Sequence, residues 1–198
     1  SGHAHTVENN NYYWDEGPHV SFTKNEYVRN LFFKSTDTNE FDIKTGNYFK
    51  GIFIDHPAQN NLYQLSDDLK KQILNDFIET RSKPKPSNIN NYEEWCNYAF
   101  GSIFTKIFVK PYTKKYWLTD LKDMGTDWIG DRIFFPKLED VTSGAVAAPK
   151  ESKHYIRNAR YPKKGGFSSF SDLMANNANV IKNKEVNKID LKQKKNLF

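Results

Sequence analysis

Phe108-Val109-Lys110-Pro111-Tyr112-Thr113-Lys114-Lys115-Tyr116-Trp117 is the stretch on which the fold reading turns. It joins a helical run to a proline and then sets large rings among lysines. Proline has no backbone N–H, and its ring clashes with the preceding turn. The helical run from Asn91, with Gly101 as a kink or break, is therefore expected to end at Pro111. A short turn then begins, in which Tyr112 and Trp117, five residues apart, can face one cavity. Each of these rings, like Trp128 further on, also suits an ordinary core position.

Towards the N-terminus, Arg81 to Asn90 carries two prolines and reads as a linker. Before it, Ser66 caps a helix whose apolar stripe is Leu69, Ile73, Leu74, Phe77 and Ile78, the three-and-four spacing of a one-faced helix. Gly46-Asn47 is expected to turn a β segment, Phe41 to Lys44, into another, Tyr48 to Asp55, which Pro57 stops. Thr23 and Glu26 form a capping box at the start of an earlier helix, with Phe22 placed to staple onto Tyr27. The first twenty residues read as two short strands around Glu8-Asn9-Asn10, closing on Asp15-Glu16-Gly17-Pro18-His19.

Towards the C-terminus lies a loop-rich middle that includes the small-residue tract Ser143 to Ala148. Gly165-Gly166 leads into a helix from about Ser168 to Asn177, and a strand follows with Val186, Ile189 and Leu191. The elements together predict an α+β fold, with a mixed or antiparallel sheet backed by helices beginning near Thr23, Ser66 and Asn91.

Hydrophobic residues make up 37% of the 198 residues and aromatic residues 15%, enough for a substantial core and against disorder along the whole length. The net charge of +5 comes from lysines spread along the chain, which reads as a solvated surface rather than a nucleic-acid footprint. No apolar run reaches membrane-spanning length, and the cytoplasm is the expected compartment. Cys96, the only cysteine, sits among aromatic residues and reads as a small packed hydrophobe. His3 and His5 have no supporting cluster of ligands, so no metal site is expected. There is no P-loop and no Gly-x-Gly-x-x-Gly.

Several stretches, in order, resemble the FAD-dependent amine oxidase and protoporphyrinogen oxidase-like superfamily. Ser1-Gly2-His3-Ala4-His5-Thr6 with Tyr13 to His19 is similar to the family's glycine signature and the strand pair behind it, with Ser1 where the family has glycine. Gly51-Ile52-Phe53-Ile54-Asp55-His56-Pro57 is similar to the strand entering its substrate domain. The opening decapeptide, with Asp127-Trp128-Ile129-Gly130-Asp131-Arg132-Ile133, resembles the branch near the UDP-galactopyranose mutases. Tyr161-Pro162-Lys163-Lys164-Gly165-Gly166-Phe167, followed by Val186-Asn187-Lys188-Ile189, resembles the return to the FAD-binding domain.

This resemblance implies an internal piece of a FAD-dependent oxidoreductase, without the N-terminal Rossmann βαβ unit and the C-terminal FAD-binding part. Such a piece is expected to be inactive alone and not to retain FAD. Residues 1–22 would be a remnant of the FAD-binding domain, 23–160 the substrate or cap domain, and 161–198 the return into the FAD-binding domain. Cofactor-binding candidates are Gly2, His3, Asp15, Gly17, His19, Gly165, Gly166 and Val186. Tyr112, Lys115, Trp117 and Arg132 are candidates for binding a small-molecule substrate, such as a nucleotide sugar of surface-polysaccharide synthesis. No catalytic residue is singled out. A non-redox nucleotide-sugar mutase and a non-catalytic remnant stay open as alternatives. So do plainer roles: turn glycines at Gly17 and Gly165-Gly166, a structural His19, and a surface ion pair of Asp131 with Arg132.

Overall fold

A computed structural model describes residues 2–130, 133–150, 158–181 and 183–185. Val186 and Arg132 lie outside the described residues, as does the strand expected around Val186. The chain divides into two compact units, one drawn from 1–41 with 158–198 and the other from 42–157. The N-terminal division thus falls later in the chain than the residue-22 boundary read from the sequence.

In the first unit, strands β1 (Thr6–Asn9) and β2 (Tyr12–Asp15) pair antiparallel, Thr6 opposite Asp15 and Asn9 opposite Tyr12. The two turn residues, Asn10 and Asn11, both have positive φ, 52° and 64°. That geometry matches the twist of a tight hairpin, and asparagine tolerates it better than other residues bearing a side chain. Helix α1 (Glu26–Ser35) starts two residues later than its capping box suggests. Asn25 is the cap, its Oδ1 accepting from the Val28 N–H at 3.1 Å, while Thr23 Oγ1 accepts from the Asn25 N–H at 3.2 Å. Strand β3 (Thr38–Asp42) pairs with β6 (Asn158–Pro162), and Ser21 adds an antiparallel bridge to Arg160. Helix α7 (Ser169–Asn176) packs on α1, with Phe32 stacked on the buried Phe170 at 4.6 Å between ring centres.

In the second unit, β4 (Gly46–Phe49) and β5 (Ile52–Asp55) form a hairpin. Its turn is Lys50-Gly51, with φ of 46° and 90°, not Gly46-Asn47, which lies in strand. A glycine at the second turn position relieves the strain of a left-handed backbone and outcompetes the Gly-Asn alternative. Ser66 does cap helix α2 (Asp67–Ser82), and Ile73 and Phe77 of its apolar stripe reach the core while Ile78 stays exposed. The helix runs past Arg81, so Arg81 is not linker. Its guanidinium donates to the carbonyls of Tyr98, Ala99 and Pro136 at 2.7, 2.8 and 3.1 Å, and lies over the rings of Phe77 and Phe135.

Helix α3 (Tyr92–Phe100) begins at the Asn91 cap and ends at Gly101, whose φ of 81° breaks it. The chain restarts as α4 (Ser102–Phe104). Asp76 of α2 caps the restart, accepting from the Ile103 N–H at 2.8 Å and the Ser102 hydroxyl at 3.0 Å. A π-helical segment, Thr105–Val109, follows and passes directly into α5 (Lys110–Trp117). Pro111 therefore does not end the helix. The π turn shifts the backbone pairing to i→i+5, with the Lys110 N–H bonded to the Thr105 carbonyl, and a proline fits beside such a widened turn.

The tract expected as loop, Ser143 to Ala148, is largely helix α6 (Leu138–Val146). Its small residues are explained by packing: a Cβ on Gly144 would overlap the backbone carbonyl of Asn60. The core gathers Ile54, Leu62, Ile73, Phe77, Phe104 and Val141 among others. Cys96 is fully buried there, and burial pushes its thiol up to about 12, so it stays protonated. The fold is α+β as expected, but the described strands form three separate two-stranded ladders rather than one sheet.

Gly144→Ala tests the seating of α6. Helix propensity alone would stabilise by about 1 kcal/mol, but backbone overlap costs about 1–3 kcal/mol and relaxes poorly. The expected result is a lower urea midpoint; a higher one would show that α6 does not rest on Asn60.

Candidate functional site

The first unit builds its chemistry around Asp15, at the end of β2. Its carboxylate accepts from the Thr6 hydroxyl at 2.6 Å, the Tyr161 hydroxyl at 2.5 Å and the Phe167 N–H at 3.0 Å. Thr6 Oγ1 in turn accepts from the Ser168 N–H at 3.1 Å. Partial burial pushes the Asp15 carboxyl up, but the bonds from Thr6, Tyr161 and Phe167 outweigh it, and the net shift is down. Burial and the neighbouring carboxylate push the Tyr161 phenol up to about 12. Thr6, Tyr161 and Phe167 were not singled out from the sequence. Their signal was present as the register of the first hairpin, which places Thr6 opposite Asp15.

The other candidates of this unit divide by environment. Gly2 and Gly17 are exposed, with φ of 56° and 105°, and nothing but the His19 ring edge comes near a Cβ on either. His3 is exposed, with Nδ1 3.4 Å from Glu16 Oε1. His19 Nδ1 lies 3.1 Å from the Gly17 carbonyl, and its ring centre is 5.1 Å from that of Phe167. A carbonyl only accepts, so this contact makes Nδ1 the protonated nitrogen. Gly165 and Gly166 face inward: a Cβ on Gly166 would fall on the side chain of Thr6, and one on Gly165 would meet Ser169 Cβ at 3.3 Å. Hence Gly166 is glycine because Thr6 occupies the space above it.

The second unit presents an aromatic face on α5. Tyr112, Tyr116 and Trp117 are 61%, 64% and 52% exposed. Tyr112 stacks on Tyr116 with centres 5.6 Å apart and planes 9° apart, and Trp117 lies 6.2 Å from Trp128. Because the segment is helix rather than turn, residues five apart point about 140° from each other. Tyr112 and Trp117 therefore do not face one another across a cavity; Tyr116 lies between them, edge-on to Trp117 at 5.0 Å. The exposure also excludes the plain core role for both rings. Lys115 is exposed on the same helix.

No family model matches the sequence. Among solved structures, the chain is similar to a crystal structure of reduced UDP-galactopyranose mutase, with a TM-score of 0.81 at 22% identity. The match covers 89% of this chain and 38% of that one, so the chain spans well under half the length of the mutase it resembles. At this identity the likeness is one of fold. No helix among the described residues is long and apolar enough to cross a membrane.

The Asp15 cluster generates a pH signature. Asp15 has a lowered folded pKa, so its contribution is complete above the unfolded value of about 3.9 and is lost as pH falls through the folded value. Tyr161 has a raised pKa, so its contribution is complete below about 10 and is lost as pH rises towards about 12. Urea unfolding of the wild type against Asp15→Asn should show a constant stability difference between about pH 6 and 9 that shrinks at both extremes. A difference that stays flat from acid to alkali would remove Asp15 as the organiser.

Proposed function

We propose that this chain is a portion of a FAD-dependent enzyme of nucleotide-sugar chemistry. The observation that carries the reading is the likeness of backbone to UDP-galactopyranose mutase over 89% of the chain. The ordered motif resemblance supports it, because motifs and backbone point to the same class of protein. Both a redox reaction and a non-redox mutase reaction fit this likeness of fold, and the mutase is the reading put to the test.

The residues of the first unit fit a flavin in part. Gly2 and Gly17 are exposed, carry positive φ and leave open space, so a planar ring system can approach the backbone without meeting a side chain. His3 and His19 flank them, and the His19 Nδ1 contact with the Gly17 carbonyl fixes the ring beside this open backbone. Gly165 and Gly166 do not offer a comparable cradle, since Ser169 and Thr6 fill the space. Asp15 serves as a positioning residue: its carboxylate is used by Thr6, Tyr161 and Phe167, whose ring contacts His19, rather than reaching a ligand itself. A bound flavin supplies the electron or nucleophile chemistry, which no side chain here replaces.

On the second unit, Tyr112, Tyr116 and Trp117 offer ring faces for a nucleobase, and stacking on such platforms contributes about 1–3 kcal/mol per base. Lys115 supplies a positive charge for the attached phosphates. Arg132 is proposed to join it, by a bidentate fork.

The intact protein, given reduced flavin and UDP-sugars, should interconvert sugar ring forms with no net redox change. Stoichiometric flavin reduction by the sugar would select the oxidoreductase instead, and the absence of both reactions would contradict the reading. Trp117→Ala should weaken nucleotide-sugar affinity about tenfold or more with a small change in Tm, because the ring is half exposed. The 198-residue chain alone, which has no Gly-x-Gly-x-x-Gly to hold a pyrophosphate, should purify without flavin absorbance.

A further inference from the structure

The π-helical segment Thr105–Val109 serves no role in the reading above, yet it assembles a polar cleft. In a regular α-helix, residues five apart diverge by about 140°. The widened turn instead bonds the Lys110 N–H to the Thr105 carbonyl and stacks Lys110 over Thr105. Thr105, Lys106 and Lys110 thereby line one cleft of about 340 Å³ with Glu93, Asn97 and Ser102.

Two features of the cleft point to a ligand. Thr105 is 2% exposed, and its Oγ1 has no hydrogen-bond partner. A helical threonine ordinarily bonds its hydroxyl to the carbonyl three or four residues back, so an unpaired one is costly. The charges are also unbalanced. Glu93 is engaged by Lys110 at 3.4 Å, while Lys106 has no carboxylate partner among the described residues. Asn97 brings a side-chain amide, and the Ser102 hydroxyl is already given to Asp76.

We propose that this cleft binds a phosphate-type oxyanion. Lys106 and Lys110 supply the charge, the Thr105 hydroxyl and the Asn97 amide donate hydrogen bonds, and Glu93 keeps Lys110 in place. The Asp76 carboxylate behind Ser102 is taken up by the Ser102 hydroxyl and the Ile103 N–H, and among the lining residues two ammonium groups stand against one carboxylate, a balance that selects an anion over a neutral sugar. None of Tyr112, Tyr116 and Trp117 lines the cleft, so it does not depend on the nucleotide-sugar reading.

The test is titration of the full chain with inorganic phosphate at constant ionic strength, followed by ¹H–¹⁵N spectra. Saturable shifts are expected at the Thr105, Lys106 and Lys110 amides. Lys106→Met and Thr105→Val should each weaken the affinity about tenfold, and Thr105→Ser should retain it. Thr105→Val removes an unpaired hydroxyl, so it should fold at least as well as the wild type. Glycerol phosphate binding as tightly as inorganic phosphate would assign the site to an esterified phosphate; binding of the inorganic ion alone would assign it to the free ion. Shifts that do not saturate, that chloride reproduces, that glucose produces instead, or that persist unchanged in Thr105→Val would overturn the proposal.

Discussion

The Asp15 carboxylate joins parts of the chain that are far apart in sequence, since Tyr161 and Phe167 lie 146 and 152 positions away from it. Closing a loop of that length in an unfolded chain costs about 4–5 kcal/mol on logarithmic scaling. Hydrogen bonds to an ionised carboxylate contribute about 1.5–3 kcal/mol each, at the lower end here because Asp15 is only half-buried. The two that span the loop, from Tyr161 and Phe167, offset a large part of the closure, while the Thr6 bond stays within the first hairpin. The consequences spread outward. Thr6, oriented by donating to Asp15, accepts from the Ser168 N–H and fills the space over Gly166. Phe167, held by its own N–H, contacts His19 and Phe170, and Phe170 stacks on Phe32 of α1.

The second unit depends on a different constraint, the continuity of α4, the π segment and α5. Asp76 caps the restart after Gly101, and the π turn then carries the helix through Pro111. One consequence is the outward aromatic face of Tyr112, Tyr116 and Trp117; another is the polar cleft under Thr105. An α-helix without the extra residue in the turn would rotate every side chain beyond Val109, and the two surfaces would not lie where they do. Arg81 supports the same region from beneath by satisfying the carbonyls at the end of α3.

Strong local signals were legible in the sequence. Ser66 and Asn91 mark helix starts because both stand at the cap position, where the Asn91 side chain accepts from the Glu94 N–H, and Ile73 and Phe77 mark the core because periodicity shows which face is buried. Signals that compete were not. Gly46-Asn47 read as the turn and Lys50-Gly51 as strand, and it is the pairing of Phe49 with Ile52 that moves the turn to Lys50-Gly51. Ser143 to Ala148 read as loop because small residues have no periodic apolar stripe, although the reason for Gly144 is the carbonyl of Asn60, 84 positions before it. Pro111 read as a terminator because a π turn leaves no mark in composition. At the candidate sites, the resemblance drew attention to Asp15 but not to Thr6 or Tyr161, since hydrogen-bond partners so distant in sequence are set by tertiary structure.

Native-state hydrogen exchange at the Phe167 and Ser168 amides tests the central role of Asp15 most directly. Both amides are hydrogen-bonded within this cluster, the first to Asp15 itself and the second to the threonine that Asp15 orients. In the wild type both should exchange slowly. In Asp15→Ala both should lose their protection together, while the Val28 amide, bonded to Asn25 within α1, keeps its own. Unchanged protection at Phe167 and Ser168 in that variant would contradict the account.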